Sequence, residues 1–456
     1  MMKETKDKFT LLTTEKPERV ITKMAIPTII SMLVTAIYNM ADTFFVSKIK
    51  DVSAPAAVGV VFSMMALIQA VGFFFGQGSG NFISKAMGKQ DKKSAEEMAS
   101  TGFFYSFFIG ILITVFGLIF IEPLALLLGS TETILPYAKQ YLGYILLGSP
   151  FIISSFVINN QLRFQGNASY AMVGLVSGGI LNIILDPIFI FTLNMGTKGA
   201  ALATVVSQIF SFLLLIIGTT RGENIRIKIK NFSFNKKYIV EIIKGGLPSL
   251  SRQSITSVAS VTLNWVAGGY GDFAIAAISI VNRIAMFINS AVIGFGQGFQ
   301  PFCGFNYGAK KYQRVKQGFI FSIKVTTIFL CVMAVLGFIF APPLIKLFRE
   351  DPEVVKIGVS LLRFQCLTIP TFGIIVMANM IMQNLGFVGR ATLLSIARQG
   401  IFFIPLVIAL PFLFGQTGLE MTQAVADFLT AVCAIPFSIY ISKYLKNKEI
   451  TEENKR

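Results

Sequence analysis

The sequence predicts an all-α integral membrane protein, with twelve transmembrane helices in two pseudo-symmetric six-helix bundles, and three observations carry that prediction. Residues are 54% hydrophobic and 14% charged, with 44 Phe and a mean hydropathy of +0.69, which is more apolar surface than a soluble core of 456 residues needs. Uncharged stretches such as 54–84, 101–121, 199–219 and 399–419 approach or exceed the ~20 residues with which an α-helix crosses a ~30 Å hydrocarbon layer. The chain also resembles itself at a spacing of about half its length.

Breaking the apolar runs at Gly, Pro and charge clusters sets the spans in order. The first, 20–47, rises out of a charged tail. The second, 54–84, stops at the basic cluster Lys85–Lys93, and the third, 99–121, resumes beyond it. The fourth and fifth, 136–160 and 167–193, are parted at Gly166, and the sixth, 199–219, runs into the basic stretch that begins at Arg221. The seventh, 238–268, ends in glycines, and the eighth, 273–305, ends before Lys310–Lys316. The ninth, 315–341, precedes a proline pair; the tenth and eleventh, 354–381 and 390–413, flank Gly386; the twelfth, 418–443, leads into the basic C-terminal tail.

Charge placement orients these spans. Lys and Arg gather in the N-terminal tail (Lys3 to Lys23), at Lys85–Lys93, at Arg221–Lys244, at Lys310–Lys316 and from Lys443 onward. The clusters recur after every second span, the positive-inside pattern, so both termini are expected in the cytoplasm. The net charge of +17 therefore does not point to nucleic acid, which would require the basic residues to share one exposed face. The first twenty residues have no apolar h-region, so no cleaved signal is expected. Cys303, Cys331, Cys366 and Cys433 sit in apolar surroundings and are expected to be free thiols.

The repeat is specific. ITKMAIP (21–27) parallels IIKGGLP (242–248), FGQGSG (75–80) parallels FGQGFQ (295–300), Pro150 parallels Pro370 and Gly166 parallels Gly386. An offset of about 220 residues is too long for a solenoid unit and suits half the protein. Six crossings per half give both halves one orientation, so their axis runs along the membrane normal, as in transporters built from parallel repeats. The division is residues 1–220 as an N-lobe (helices 1–6), 221–237 as a cytoplasmic linker and 238–456 as a C-lobe (helices 7–12). The GQG triplets at 76–78 and 296–298 lie within apolar spans and read as close helix-packing sites rather than phosphate-binding turns.

Of 23 acidic residues, only Asp42, Asp186 and Asp427 fall well within the spans. A charge at the bilayer centre costs ~3 kcal/mol on insertion scales, so such residues normally face a cavity and serve an ion or a substrate. In YNMADTFFV (38–46), Tyr38 and Asn39 precede Asp42 by four and three positions, so the three share a helix face. In LNIILDPIFIF (181–191), Asn182 precedes Asp186 by four, and Pro187 has no N–H to donate to the carbonyl of Ile183. A freed backbone acceptor and a bent helix beside a carboxyl group form a combination that can switch. Asp427 shows no polar companion at helical spacing and reads as structurally paired, with Arg283 or Arg398 as the partner. The other basic residues within spans, Arg252, Lys324 and Arg363, read as side chains that snorkel to the interface. With no histidine and scattered carboxylates, no metal site, no cofactor and no catalytic constellation is expected, and the chain does not read as an enzyme.

At these residues the chain resembles the multidrug and toxic compound extrusion (MATE) family, in its MepA/DinF-like bacterial branch. The resemblance rests on IPTIISMLVTAIYNMADTFFV, GQGSGNFISKAMGKQD, LRFQGNASYAM, LNIILDPIFIF and MGTKGAALATVVS, in that order and spacing. It implies a V-shaped pair of bundles in the bacterial inner (cytoplasmic) membrane that exports amphipathic, drug-like organic cations by alternating access in exchange for H+ or Na+. Asp42 and Asp186 would be the ion- and substrate-binding carboxylates of the N-lobe, with Tyr38, Asn39, Asn182 and a sixth-span threonine, Thr204, beside them, and Pro27 and Pro187 as helix-bending positions. Sodium-coupled relatives carry acids on the seventh and tenth spans. Here those spans read LPSLSRQSITSVASVTLNWVAGG and LLRFQCLTIPTFGIIVMANM without a carboxylate, which favours the proton. The expected partners are small cationic substrates and membrane lipids, with no nucleic acid, and the chain is expected to be a monomer. A lipid-linked saccharide flippase of the same superfamily is the rival reading, and it would be expected to line its cavity with cations. A channel is disfavoured by the duplicated, proline-bent helices.

Overall fold

The fold is described from a computed structural model, for residues 8–49 and 53–454. The part of the basic N-terminal tail that rests on Lys3 and Lys6 lies outside the described residues. All regular structure among those residues is helical. Helices α1 (Lys8–Thr14), α2 (Pro17–Ser47), α3 (Ser53–Gly88), α4 (Lys92–Ile119), α5 (Ile121–Leu127), α6 (Leu135–Phe164), α7 (Ala168–Pro187) and α8 (Thr197–Thr220) make the first half. The second half holds α9 (Lys236–Gly268), α10 (Asp272–Gly308), α11 (Tyr312–Ile339), α12 (Ala341–Lys346), α13 (Pro352–Thr368), α14 (Phe372–Leu385), α15 (Val388–Ile396) and α16 (Ile404–Glu453).

Among the described residues, ten helical runs are long and apolar enough to cross a membrane. The last of them, Val388–Glu453, breaks inside α16 at Gly415, whose φ of +59° only a residue without Cβ adopts readily, and so counts as two. The more polar α9 completes the expected twelve, most within a few residues of their sequence boundaries; the third begins earlier than 99, at Lys92, and the twelfth runs past 443 to Glu453. Pro370 interrupts the tenth with a 3₁₀ turn, Ile369–Thr371, between α13 and α14. Exposed apolar side chains such as Phe116, Leu127, Trp265 and Phe412 are the surface such a protein offers to lipid rather than to water.

The repeat persists in detail. Asn159 Nδ2 donates to Ala171 O at 2.8 Å, and Asn379 Nδ2 donates to Ala391 O at 2.7 Å. Gly166 and Gly386 turn the chain with φ of +81° and +89°. The GQG glycines are packing sites in both halves: a Cβ on Gly78 would lie 2.3 Å from Ile242 O, and one on Gly298 2.4 Å from Ala25 Cα.

Among the described residues the chain forms two compact units. One contains Ile26–Leu250, the other Thr10–Ala25 with Ser251 onward. These units follow contacts and cut α2 between Ala25 and Ile26 and α9 near its middle, between Leu250 and Ser251, whereas the division at 220 and 238 follows the repeat. The packing explains the difference. In the first unit, Gly78 of α3 lies against Ile242 of α9, and Tyr238 donates its hydroxyl to Glu97 at 2.6 Å. In the second, Gly298 lies against Ala25, while Asn306, Lys311 and Arg314 donate to the carbonyls of Leu12, Thr13 and Glu15.

The core of the first unit is built on α6, 72% of whose spanning window is buried. Tyr141, Ile145 and Ile153 of α6 pack with Val61 and Ile68 of α3 and with Ala200 and Val205 of α8. All four cysteines are free; Cys303 and Cys366 are buried as expected, but Cys331 is exposed.

Candidate ion and substrate site

The first unit brings the predicted polar residues together from three helices. Asp42 and Tyr38 come from α2, Asn182 and Asp186 from α7 and Thr204 from α8. Asp186 is fully buried, and Asp42 is partly exposed. The two lie near enough to act on each other electrostatically, and both act on Tyr38.

The network around them is loose. Asn182 Nδ2 reaches Asp186 Oδ1 at 3.4 Å and Thr204 Oγ1 at 3.5 Å, both at the long limit of a hydrogen bond. Asp42 Oδ1, Asp186 Oδ2 and Asn182 Oδ1 are buried with no hydrogen-bond partner. Among the described residues, no Lys or Arg pairs with either carboxylate. A buried acceptor left unmade costs ~1–3 kcal/mol, and more when it is charged, so the site as it stands calls for a proton or a cation.

Pro187 acts on the backbone as its chemistry dictates. Downstream of it the helix widens into a π segment, Ile188–Thr192, where Leu193 N–H donates to Ile188 O at 2.9 Å. Such bulges often mark functional sites. The widened carbonyls pass so close to α8 that a Cβ on Gly199 would meet Phe189 C at 2.7 Å. Pro27 lies inside α2, two residues beyond the point where that helix passes between units.

Two cavities open beside the carboxylates. One, of about 60 Å³, is walled by Tyr38, Asn39, Met65, Gln69 and Thr204 among others. The other, of about 20 Å³, has Thr35, Tyr38, Ser155 and Asn159 in its wall. Tyr38 and Gln208 line both. Asp42 and Asp186 are not themselves in these walls; Thr204, within reach of Asn182, lines the first cavity. Sequence reasoning missed Gln208, although it follows Thr204 by one turn, and it missed the buried Tyr141 of α6, which lies in the field of both carboxylates. Nothing in the sequence sets Tyr141 apart from the other tyrosines.

The second unit resolves one expectation and corrects two. Arg398, not Arg283, pairs with Asp427, through Nε at 2.7 Å and Nη2 at 3.1 Å. Asp427 does have a companion at helical spacing, because Gln423 Nε2 donates to it at 2.8 Å. Glu420 is a further buried acid, bonded by Ser360 and Gln416; its place near the start of the last span hid it from the sequence reading. Arg252 donates to Asn379 at 3.3 Å, Arg363 to Phe338 O at 3.4 Å, and Lys324 is exposed.

A family model described as MatE matches the chain twice, at residues 27–188 and 248–408, the same two blocks that the repeat defines. This chain belongs to the MatE family. Among curated MatE relatives, the multidrug export protein MepA of Staphylococcus haemolyticus is 28% identical over 425 residues, 93% of each chain. Among solved MatE structures, the outward-facing conformation of a multidrug resistance transporter of the MOP superfamily superposes with a TM-score of 0.92 at 27% identity, covering 97% of this chain and 100% of the other. A MOP superfamily transporter from Pyrococcus furiosus Vc1, whose binding pocket has a reverse polarity suggesting a different function, superposes with a TM-score of 0.90 at 26% identity, covering 97% and 100%. Like these MatE relatives, the chain is a multi-pass membrane transporter.

Proposed function

We propose that this chain is a multidrug efflux antiporter of the bacterial cytoplasmic membrane, with both termini in the cytoplasm, exporting amphipathic organic cations in exchange for protons by alternating access. One observation carries the reading: Asp42 and Asp186 hold buried oxygens that nothing among the described residues satisfies. Two neighbouring acids without a counter-cation persist in a low-dielectric site only when they bind a proton or a cation. One occupant excludes the other, so proton entry from outside ejects the cation.

The surroundings fit that exchange. Phe62 and Phe156 on the larger cavity offer ring faces to a cation, and Met65 adapts to varied shapes. Tyr38, Asn182 and Thr204 supply the polar groups through which a proton or a small ion reaches Asp186. Bending of α2 at Pro27 and relaxation of the π segment after Pro187 are the backbone changes that would follow neutralisation. The multidrug export relatives support the substrate class. Two unpaired acids close to the cavities, with no Lys or Arg in the cavity walls, argue against a lipid-linked saccharide flippase, whose pyrophosphate calls for cations. The absence of carboxylates along α9, α13 and α14 except at Glu241 near the start of α9 and Glu353 in the first turn of α13 supports the proton over sodium as the coupling ion.

The test is efflux of a cationic dye from proteoliposomes under an imposed gradient. An inward proton gradient is expected to drive efflux, and Asp186→Asn to abolish it while the protein still inserts. Full antiport by that variant would remove the carboxylate from the mechanism, and efflux driven by sodium alone would replace the proton as the coupling ion.

A further inference from the structure

The second unit contains a cavity of about 420 Å³ that the exchange reading leaves unused. Its polar wall includes the amides of Asn282, Asn289, Gln365 and Gln399 together with Arg398 and Asp427, and Leu263, Met286 and Phe403 form part of an apolar side. The charges in the wall are not equally available. Asp427 Oδ1 accepts from Arg398 Nε at 2.7 Å and from Gln423 Nε2 at 2.8 Å, and Oδ2 accepts from Arg398 Nη2 at 3.1 Å. Both carboxylate oxygens are therefore engaged, and the side chain is only 7% exposed against 20% for Arg398.

The guanidinium has donors to spare. A guanidinium carries five N–H groups in a planar fork, and Asp427 takes two. Among the described residues, Nη1 has no hydrogen-bond acceptor in the protein. The plane is braced on Phe372, with the guanidinium carbon 4.4 Å from the ring centroid, so its direction is set in advance. It sits on a second π segment, Ala397–Phe403. The cavity thus offers fixed N–H donors beside amides and an apolar wall. That is the reverse of the first unit's site, which offers unsatisfied acceptors.

We propose that this cavity binds the carboxylate of amphipathic organic acids and zwitterions, with the anionic end on the free edge of Arg398 and the hydrocarbon end against Leu263, Met286 and Phe403. Planar, charge-assisted pairing favours a carboxylate over a neutral ester. The inference rests on the proposed function only in that the chain handles amphipathic organic molecules; it needs neither Asp42 nor Asp186.

Fluorescence titration of the purified full-length protein with dansylglycine, its methyl ester and the cation dansylcadaverine tests it. The acid is expected to bind at least about tenfold tighter than the ester. The paired substitution Arg398→Gln with Asp427→Asn, which leaves no buried unpaired charge, is expected to weaken the acid about ten- to a hundredfold. Met286→Trp intrudes on the apolar side of the cavity, leaves the ion pair in place and is expected to weaken acid binding. Dansylcadaverine binding is expected to survive both. Equal affinity for acid and ester, or undiminished acid binding by either variant, overturns the proposal. Dansylcadaverine binding that survives Asp42→Asn with Asp186→Asn would instead overturn the cation site and leave this one standing.

Discussion

A single methyl group on Gly78 is expected to damage the first unit, and one on Gly298 the second. In Gly78→Ala the new Cβ would lie 2.3 Å from Ile242 O and 2.8 Å from Ile242 Cα; in Gly298→Ala it would lie 2.4 Å from Ala25 Cα and 2.5 Å from Ala25 N. Ordinary contact begins at 3.4 Å, so the helices must part by roughly 1 Å, the difference 3.4 − 2.3 for the first site and 3.4 − 2.4 for the second. The obstacle is backbone inside a helix, which has no rotamer to change. Overpacking of this kind costs ~3 kcal/mol at the upper end of its usual range, and the better helix propensity of Ala returns up to ~1 kcal/mol. A net loss of about 2 kcal/mol lowers the unfolding midpoint of a unit this size by roughly 4–8 °C. Gly59, on the same helix as Gly78, has nothing within 4 Å of its Cβ position, so Gly59→Ala is the matched control and is expected to hold or slightly raise the midpoint. Thermal unfolding of the purified proteins in detergent reads the difference. If Gly78→Ala melts with Gly59→Ala, the close approach of α3 and α9 is not what holds them.

Three further outcomes follow from the same geometry. Asp427→Ala strands a guanidinium and the Gln423 amide, at a cost of about 3 kcal/mol, the low end for a broken buried pair because the cavity admits water; adding Arg398→Met should recover part of it, and a double-mutant cycle showing no coupling would deny the pair any role in stability. Pro187→Ala restores the N–H that the carbonyl of Ile183 lacks, so a continuous helix should form in place of the π segment and transport should slow at equal expression; an unchanged rate would mean that the proline is incidental. At the N-cap of α4, the Ser94 hydroxyl and backbone N–H hold the Asp91 carboxyl below its usual range. That stabilisation is fully present above about pH 4, the unfolded value, and is lost as pH falls through the lower folded value. Asp91→Ala should therefore cost about 0.5–1 kcal/mol at neutral pH and nothing in strong acid, as measured by hydrogen exchange at the start of α4.

The path of the chain through the membrane was legible because lipid imposes one rule on every span: an apolar run must last about twenty residues, and charge must stop it. Asp42, Asp186 and Asn182 stood out for the same reason, as polar groups where the solvent forbids them. Glu420 escaped because an acid close to a span end looks like an interface residue, and Gln423 because an amide is a weaker signal than a charge. The choice of Arg398 over Arg283 for Asp427 needed the third dimension, since both lie on other helices. The unit boundaries inside α2 and α9 were also out of reach, because a continuous apolar period carries no mark of which neighbours it will meet.

Those boundaries affect how the molecule can be taken apart. A fragment ending at the linker would lose Ile242, the surface on which Gly78 rests, and would keep residues 10–25 with neither Gly298 nor Arg314 to receive them. The ancestral half-gene and the cooperative folding block are therefore different objects, each half lending the other an arm. Two such fragments made side by side should recover activity only after trading those arms, whereas either alone should be degraded.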